Sequence, residues 1–315
     1  MAALSGAIVD WLQPPGRILT RCSLEYLAKR NLGVPVKSVT DILEEMYPDP
    51  LIRTPIQLPG IATCHAYSFG DPNPQQLVEC EKTVAARYRL LQPEKLRDTS
   101  ERYVRALFRH VRDRGAAQYL SITNASRLGR IKINGTKLFA DLVVGYETID
   151  QEPIELLVEV KAHREEIDVT SKIITKLLDD AIAASEAGGY QPVFVPAYIS
   201  SRARSFCGAV GIAVYALDRQ FLPLADRQKA CELWPTGWDD KFQFIRSNRV
   251  FSDPARIDPR SLHDLAAFRE RGWIETTRLN WNENKNMLHD IAGALKQRDW
   301  TLIKKLLPSY STDLK

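Results

Sequence analysis

The chain has 315 residues, of which 44% are hydrophobic and 26% charged, proportions typical of a soluble globular protein. Lysine and arginine (43) slightly outnumber aspartate and glutamate (39), and the net charge of +4 permits a polyanionic partner without requiring one. The five cysteines form no CxxC pair, which argues against a disulfide framework or a cysteine-based zinc site and predicts a cytoplasmic protein. No apolar run reaches the length of a membrane span, and the sequence lacks the basic start of a signal peptide.

Proline-rich and polar stretches divide the chain into three predicted regions, 1–96, 97–226 and 227–315. In the first region, SLEYLAKRNL and VTDILEEMY predict helices, but nothing there points to a chemistry. In the last region, RSLHDLAAFRERG and ENKNMLHDIAGALKQRDW predict helices, and WIETTRL predicts a short strand or the wing of a winged-helix module. We therefore expect mostly helical N- and C-terminal regions.

The middle region predicts an α/β layer. It begins with a helix, DTSERYVRALFRHVRDRG, and a strand, AAQYLSIT. A hairpin follows in RIKINGTKLFADLVVG, because Asn134-Gly135 between two alternating runs favours a tight turn. The remaining segments predict, in order, a strand, a helix, a strand, a short helix and a strand: ELLVEVKAH, VTSKIITKLLDDAIAASEAGG, QPVFVPAYI, SSRARSFCGAVG and IAVYAL.

Two of these strands carry charged residues where core residues are expected. Asp141 shares a strand face with hydrophobic neighbours, and burying an unpaired carboxylate costs roughly several kcal/mol unless a cation or strong donors compensate. On the next strand, alternation places Glu159 and Lys161 on one face, with His163 one step further. Carboxylates from neighbouring strands suit Mg²⁺, and a lysine beside them can orient a water or stabilise a phosphate. The alternative is a half-exposed charged face or a buried structural salt bridge.

The pattern of Asp141 followed by Glu159-Val160-Lys161 resembles the Asp…(Asp/Glu)-x-Lys signature of the PD-(D/E)xK, restriction-endonuclease-like nuclease superfamily. The predicted order of elements also resembles that family over about residues 97–225, although Ala140 stands where the family has proline. The resemblance implies an α/β fold with a restriction-endonuclease-like mixed β-sheet core flanked by helices. It implies Asp141, Glu159 and the Val160 carbonyl as metal ligands and Lys161 as the catalytic lysine.

Many members of the family use a further glutamate on the first core helix, and Glu101 is the candidate here. It lies three residues before Val104 on the apolar face, so we expect it to point toward the sheet. Asp98-Thr99-Ser100-Glu101 also reads as a capping box, with Glu101 at the third helical position. The two interpretations of Glu101 do not exclude each other.

The activity implied is that of a Mg²⁺-dependent nuclease, with Mn²⁺ as a substitute, that hydrolyses phosphodiester bonds in DNA in restriction, defence or repair. Many such enzymes need two sites to cut both strands, which leaves a homodimer open. Neither a GxxxxGK[ST] loop nor a GxGxxG motif is present, so no organic cofactor is expected. The alternatives are an inactive DNA-binding or regulatory protein of the same fold, and a protein whose basic residues meet an acidic partner.

Binding DNA requires positive charge near the site, and the middle region supplies it. Four arginines at helical spacing are expected on the side of the first core helix away from its apolar stripe. Others lie in the hairpin and at the start of the later short helix. In chain order these candidates are Arg102, Arg105, Arg109, Arg112, Arg127, Arg130, Lys132, Lys137, Arg202 and Arg204.

Overall fold

The computed structural model describes residues 2–13, 17–32, 36–47, 50–56, 64–113, 120–122, 131–133, 136–163, 166–233, 242–245 and 272–310. They form two compact units, Met1–Leu90 and Leu91–Lys315. The boundary between the units lies after residue 90, whereas the sequence predicts boundaries after residues 96 and 226. Within the described ranges, no helix is both long and apolar enough to span a membrane.

The first unit contains helices and a small sheet. The predicted helices over SLEYLAKRNL and VTDILEEMY are confirmed, and most of the described residues of this unit are helical. The proline-punctuated stretch that follows them contains two strands of an antiparallel sheet, in which Cys64–Phe69 lies between Leu19–Thr20 and Leu51–Ile56. The described elements are α1 (Ala2–Leu12), β1 (Leu19–Thr20), α2 (Arg21–Leu32), α3 (Val36–Met46), β2 (Leu51–Ile56), β3 (Cys64–Phe69) and α4 (Pro74–Leu90).

The second unit is a mixed α/β structure, which confirms the predicted class. Its described strands are β4 (Leu120–Ile122), β5 (Ile131–Ile133), β6 (Thr136–Ala140), β7 (Leu142–Glu147), β8 (Pro153–Lys161), β9 (Gln191–Pro196), β10 (Ala213–Val214), β11 (Gln220–Pro223) and β12 (Phe242–Ile245). Its described helices are α5 (Pro93–Asp113), α6 (Lys172–Gly188), α7 (Ser201–Val210), α8 (Arg227–Leu233), α9 (Trp273–Asn284), α10 (Leu288–Gln297) and α11 (Trp300–Leu306).

The central sheet of this unit has five strands in the order β10-β9-β8-β7-β4. Strands β4, β7 and β8 run antiparallel, whereas β8, β9 and β10 run parallel, so β8 joins the two halves of a mixed sheet. One face of β8 is buried, because Leu156, Val158 and Val160 pack in one cluster with Leu107 and Phe108 of α5. The alternation predicted for this strand is confirmed.

Helix α6 ends at the glycines that the sequence predicts, and it begins at Lys172, three residues after the start of the predicted segment. Ser171 accepts a hydrogen bond from the Ile173 N–H at the N-terminus, and Gly189 closes the helix in the left-handed conformation with φ of 71°. Its apolar side packs with Phe194 of β9 in a second buried cluster that also includes residues of α7, α10 and α11. The C-terminal helices therefore belong to the same compact unit as the sheet.

The predicted hairpin is confirmed in its strands, since Ile131 pairs with Ala140 in an antiparallel β5–β6 ladder. The turn at Asn134-Gly135 lies outside the described residues. The second strand of the hairpin does not continue as one piece. It breaks at Asp141, and β7 then joins the five-stranded sheet.

Two other predictions are wrong. Helix α5 begins at Pro93, so Asp98-Thr99-Ser100-Glu101 lies inside the helix and is no capping box. The Thr99 hydroxyl instead donates to the Lys95 carbonyl one turn earlier, at 2.7 Å.

WIETTRL forms the start of helix α9 rather than a strand or wing. Ile274 and Trp281, seven residues apart, are both buried on one side of α9. The helix predicted over RSLHDLAAFRERG falls outside the described part.

Candidate active site

Asp141 and the Glu159-Val160-Lys161 segment lie side by side. Leu142 pairs with Val158, which places Asp141 beside the end of β8. The Asp141 carboxylate accepts a 2.7 Å hydrogen bond from the Val160 N–H, and the Asp141 N–H donates to the Val158 carbonyl at 3.2 Å. Asp141 is only 7% exposed, so this backbone donor offsets part of the cost of burying its carboxylate.

Lys161 points to the same side of the sheet as Glu159. Its ammonium forms an ion pair with the Glu159 carboxylate and also donates to the Val160 carbonyl at 3.3 Å. The Lys161 side chain is 31% exposed and that of Glu159 is 19% exposed, so the pair lies at the edge between core and solvent. The residues of the predicted signature are therefore brought together, while their catalytic roles stay predictions.

Glu101 joins this group from helix α5. Its side chain is 13% exposed, and Arg97 lies 3.7 Å away, one turn earlier on the helix. Burial raises the pKa of Glu101 from its ordinary 4.5 to about 7, and the negative charge of Asp141 contributes further, although Arg97 and Lys161 act in the opposite direction. Because Asp141 and Lys161 both act on Glu101, these side chains share one electrostatic environment.

Glu159 is shifted in the same direction. Burial raises its pKa to about 7, the charge of Asp141 adds to the rise, and Lys161 partly reverses it. A smaller contribution comes from Asp180 on helix α6, a residue that sequence reasoning missed. Asp180 lies three residues after the buried Leu177, so helical periodicity alone could have placed it near the inward face.

The structure contradicts the predicted surface location of Arg105. This residue lies on the inner side of α5 with 7% exposed, and its Nη2 donates to the Asp141 carbonyl at 3.2 Å. Arg202 is also engaged within the protein. Its guanidinium lies 4.5 Å from the centre of the Trp300 ring and donates to the Tyr310 hydroxyl at 3.1 Å.

The other basic candidates divide into two groups. Arg102 on α5 and Arg204 on α7 are exposed, as a phosphate contact requires. The side chains of the rest lie outside the described part: Arg109, Arg112, Arg127, Arg130, Lys132 and Lys137. His163 is exposed beyond the end of β8, and its backbone carbonyl accepts a 2.6 Å hydrogen bond from Gln220 Nε2. Gln220 thus holds the chain just after Lys161.

Within the part of the chain that is described, no three His, Cys, Asp or Glu side chains are already arranged to hold a metal ion. The donor set nevertheless fits a hard divalent cation, because Glu101, Asp141 and Glu159 bring three carboxylates into one partly buried region where Lys161 offsets only part of their charge. A cation on Glu159 would take the place that the Lys161 ammonium occupies in this structure.

Comparison with known proteins found no matching family model, no matching curated protein and no matching solved structure.

Proposed function

We propose that the protein is a metal-dependent nuclease of the PD-(D/E)xK type that hydrolyses phosphodiester bonds in DNA. The observation that carries the proposal is the placement of Asp141 against Glu159, Val160 and Lys161 on adjacent strands of a mixed sheet. Supporting it, helix α5 packs on that sheet and directs Glu101 toward Asp141. A restriction-endonuclease-like core with flanking helices is part of the same proposal.

Asp141, Glu159 and the Val160 carbonyl would hold Mg²⁺, or Mn²⁺ in its place. When bound, the cation lowers the pKa of water and neutralises charge on the phosphate. Lys161, released from Glu159, would then have its ammonium available to orient the attacking water and to stabilise negative charge on the phosphate oxygens. Glu101, whose pKa lies near 7, would accept or hold a proton beside these groups at neutral pH.

The exposed Arg102 and Arg204 support a polyanionic substrate, because exposed guanidinium groups contact phosphates without reading sequence. Arg105 and Arg202 are withdrawn from that proposal, since both are engaged inside the protein. Two copies of the chain would be needed to cut both strands at once if each copy carries one site, so a homodimer on DNA remains part of the proposal.

A second candidate is a protein of the same fold that binds DNA without cutting it. Two observations favour it: the ion pair in which Lys161 covers Glu159, and the finding that no three potential metal ligands in the described ranges are already arranged around one point. In that case the charged residues form a structural salt bridge, whose net effect on stability is small.

Plasmid cleavage separates the two candidates. Supercoiled plasmid is incubated with the protein in Mg²⁺, in Mn²⁺ and in EDTA, with single-stranded DNA and RNA as further substrates. We expect metal-dependent cleavage that Asp141→Asn and Lys161→Ala each reduce at least about a hundredfold. Lys229→Ala, which removes an exposed lysine of α8, serves as the matched control and should cut normally. Salt-sensitive DNA binding without cleavage under either metal would establish the second candidate instead.

A further inference from the structure

Asp141 forms hydrogen bonds with three other residues, Val158, Val160 and Arg105. Its N–H donates to the Val158 carbonyl at 3.2 Å, and its carboxylate accepts from the Val160 N–H at 2.7 Å, both on β8. The third bond comes from helix α5, where Arg105 Nη2 donates to the Asp141 carbonyl at 3.2 Å. The carbonyl bond is the one of the three that comes from a side chain, so it can be removed by substitution without altering the backbone.

The location of Arg105 calls for an explanation. A guanidinium is among the groups least often found buried, because removing it from water costs roughly several kcal/mol unless its donors are satisfied. Arg105 is 7% exposed, yet it lies one helical turn after Glu101 on the same side of α5. Helix α5 therefore presents the carboxyl group of Glu101 and the guanidinium of Arg105 to the segment that contains Asp141.

The strand is interrupted at the residue that Arg105 contacts. Asp141 is the single residue between β6 and β7, at the point where the chain leaves the two-stranded ladder and enters the five-stranded sheet. A residue at such a break lacks the continuous ladder bonds that fix a strand residue. An additional donor from the side of α5 that packs on the sheet can fix the peptide there and, with it, the direction of the Asp141 side chain.

We propose that Arg105 is a positioning residue of the site: it anchors the Asp141 peptide so that the carboxylate keeps the orientation needed to bind a divalent cation. This inference rests on the proposed function, because it takes Asp141 to be a metal ligand. It assigns to Arg105 a role toward Asp141 in place of a contact with nucleic acid.

Metal affinity distinguishes this role from two simpler ones. If Arg105 acted only through its positive charge, replacing it with a neutral residue would tighten binding of a divalent cation, because like charges repel. If it acted only as packing, replacement would lower the melting temperature and leave affinity unchanged. Positioning predicts weaker binding, so the sign of the change separates the three accounts.

The experiment measures Mn²⁺ affinity by calorimetry in the absence of nucleic acid, for the full chain and for Arg105→Met, Arg105→Lys and Arg227→Met. Arg227→Met is the matched control, since Arg227 is an exposed arginine of helix α8 that belongs to neither the proposed site nor the proposed phosphate contacts. We expect Arg105→Met to weaken Mn²⁺ binding at least about tenfold, Arg105→Lys to recover part of the loss, and Arg227→Met to bind like the unmodified protein.

Equal or tighter Mn²⁺ binding by folded Arg105→Met would overturn the inference and leave the proposed nuclease untouched. Failure of the unmodified protein to bind Mn²⁺ would overturn the proposed function and this inference with it. If circular dichroism shows that Arg105→Met does not fold, Arg105→Lys decides by the same criterion against Arg227→Lys, since lysine keeps the positive charge but not the planar geometry of the guanidinium.

Discussion

The ammonium of Lys161 is paired with the carboxylate of Glu159, two residues earlier on the same strand. Both residues belong to the proposed catalytic set. In this contact the Lys161 ammonium occupies the Glu159 carboxylate that would bind a metal cation, so the ammonium and the metal compete for it. The pair explains how a partly buried acid is tolerated without metal, because Lys161 partly reverses the rise in the pKa of Glu159. It also means that metal binding and the position of Lys161 are linked.

Replacing Lys161 with methionine should therefore tighten metal binding while abolishing cleavage. The thioether keeps most of the side-chain volume but removes the competing charge, and we expect Mn²⁺ affinity to rise about threefold to tenfold, equivalent to ~1 kcal/mol. Calorimetry at about pH 8.5 lies above the pKa of about 7 of Glu159 in the unmodified protein. Because Lys161→Met removes an ammonium that lowers this pKa, the comparison is repeated at several pH values to separate proton loss from metal affinity. Lys229→Met is the control. Unchanged or weaker affinity in Lys161→Met would show that the ion pair does not compete with metal.

The raised pKa values predict how stability depends on pH without metal. Glu101 and Glu159 titrate near 7 in the folded chain and near 4.5 when unfolded, so the folded state binds more protons between these values. Their contribution to stability is full below about pH 4.5 and is lost as the pH rises through about 7. In EDTA, we expect the free energy of unfolding to fall over this interval by on the order of 3 kcal/mol for each glutamate that titrates independently.

Substitution isolates these groups from others that titrate in the same range. Besides Asp141 and Lys161, Glu101 is influenced by Arg97 and Asp98, and Glu159 by Asp180. Glu101→Gln and Glu159→Gln should each flatten the pH dependence seen in urea denaturation, because an amide does not ionise. A slope identical to that of the unmodified protein would mean that the two glutamates titrate normally.

Substituting Gly211 tests the close packing between the end of α7 and helix α9. Its φ is +106°, and a Cβ there would lie 2.3 Å from the Trp281 backbone nitrogen of α9. Gly211→Ala should destabilise the protein by about 3 kcal/mol or more, because both the backbone conformation and the close approach are lost. Gly208→Ala on α7, where a Cβ would meet nothing within 4 Å, should be neutral or stabilising by up to about 1 kcal/mol. Similar melting temperatures for the two variants would contradict this packing.

Much of the site was predictable because short-range rules govern it. The period of two along β8 places Glu159 and Lys161 on one face of the strand, and the need to compensate a carboxylate among hydrophobes singles out Asp141. The positive charge of Arg105 favours a location on the exposed side of the helix, whereas its spacing from neighbouring buried residues favours the inner side, where it lies. Arg105 lies four residues after Glu101 and three before the buried Phe108, which places all three on one side of the helix.

Element boundaries failed where local signals were ambiguous. Asp98-Thr99-Ser100-Glu101 has the composition of a helix start, but α5 had already begun at Pro93, a residue equally suited to the first turn. WIETTRL is rich in residues that favour strands, and seven residues are too few to separate a period of two from one of 3.6. Packing of Ile274 and Trp281 inside the unit, rather than propensity, makes that segment helical.

The proposed nuclease requires Asp141 and Glu159 to bind one divalent cation together. Anomalous diffraction tests this on crystals of the protein grown with Mn²⁺, compared with crystals of Asp141→Asn. We expect a strong peak within coordination distance of both carboxylates, with Lys161 moved away from Glu159, and loss of that peak in the variant. A well-ordered structure at saturating Mn²⁺ with no peak there, and with Lys161 still paired to Glu159, would contradict it.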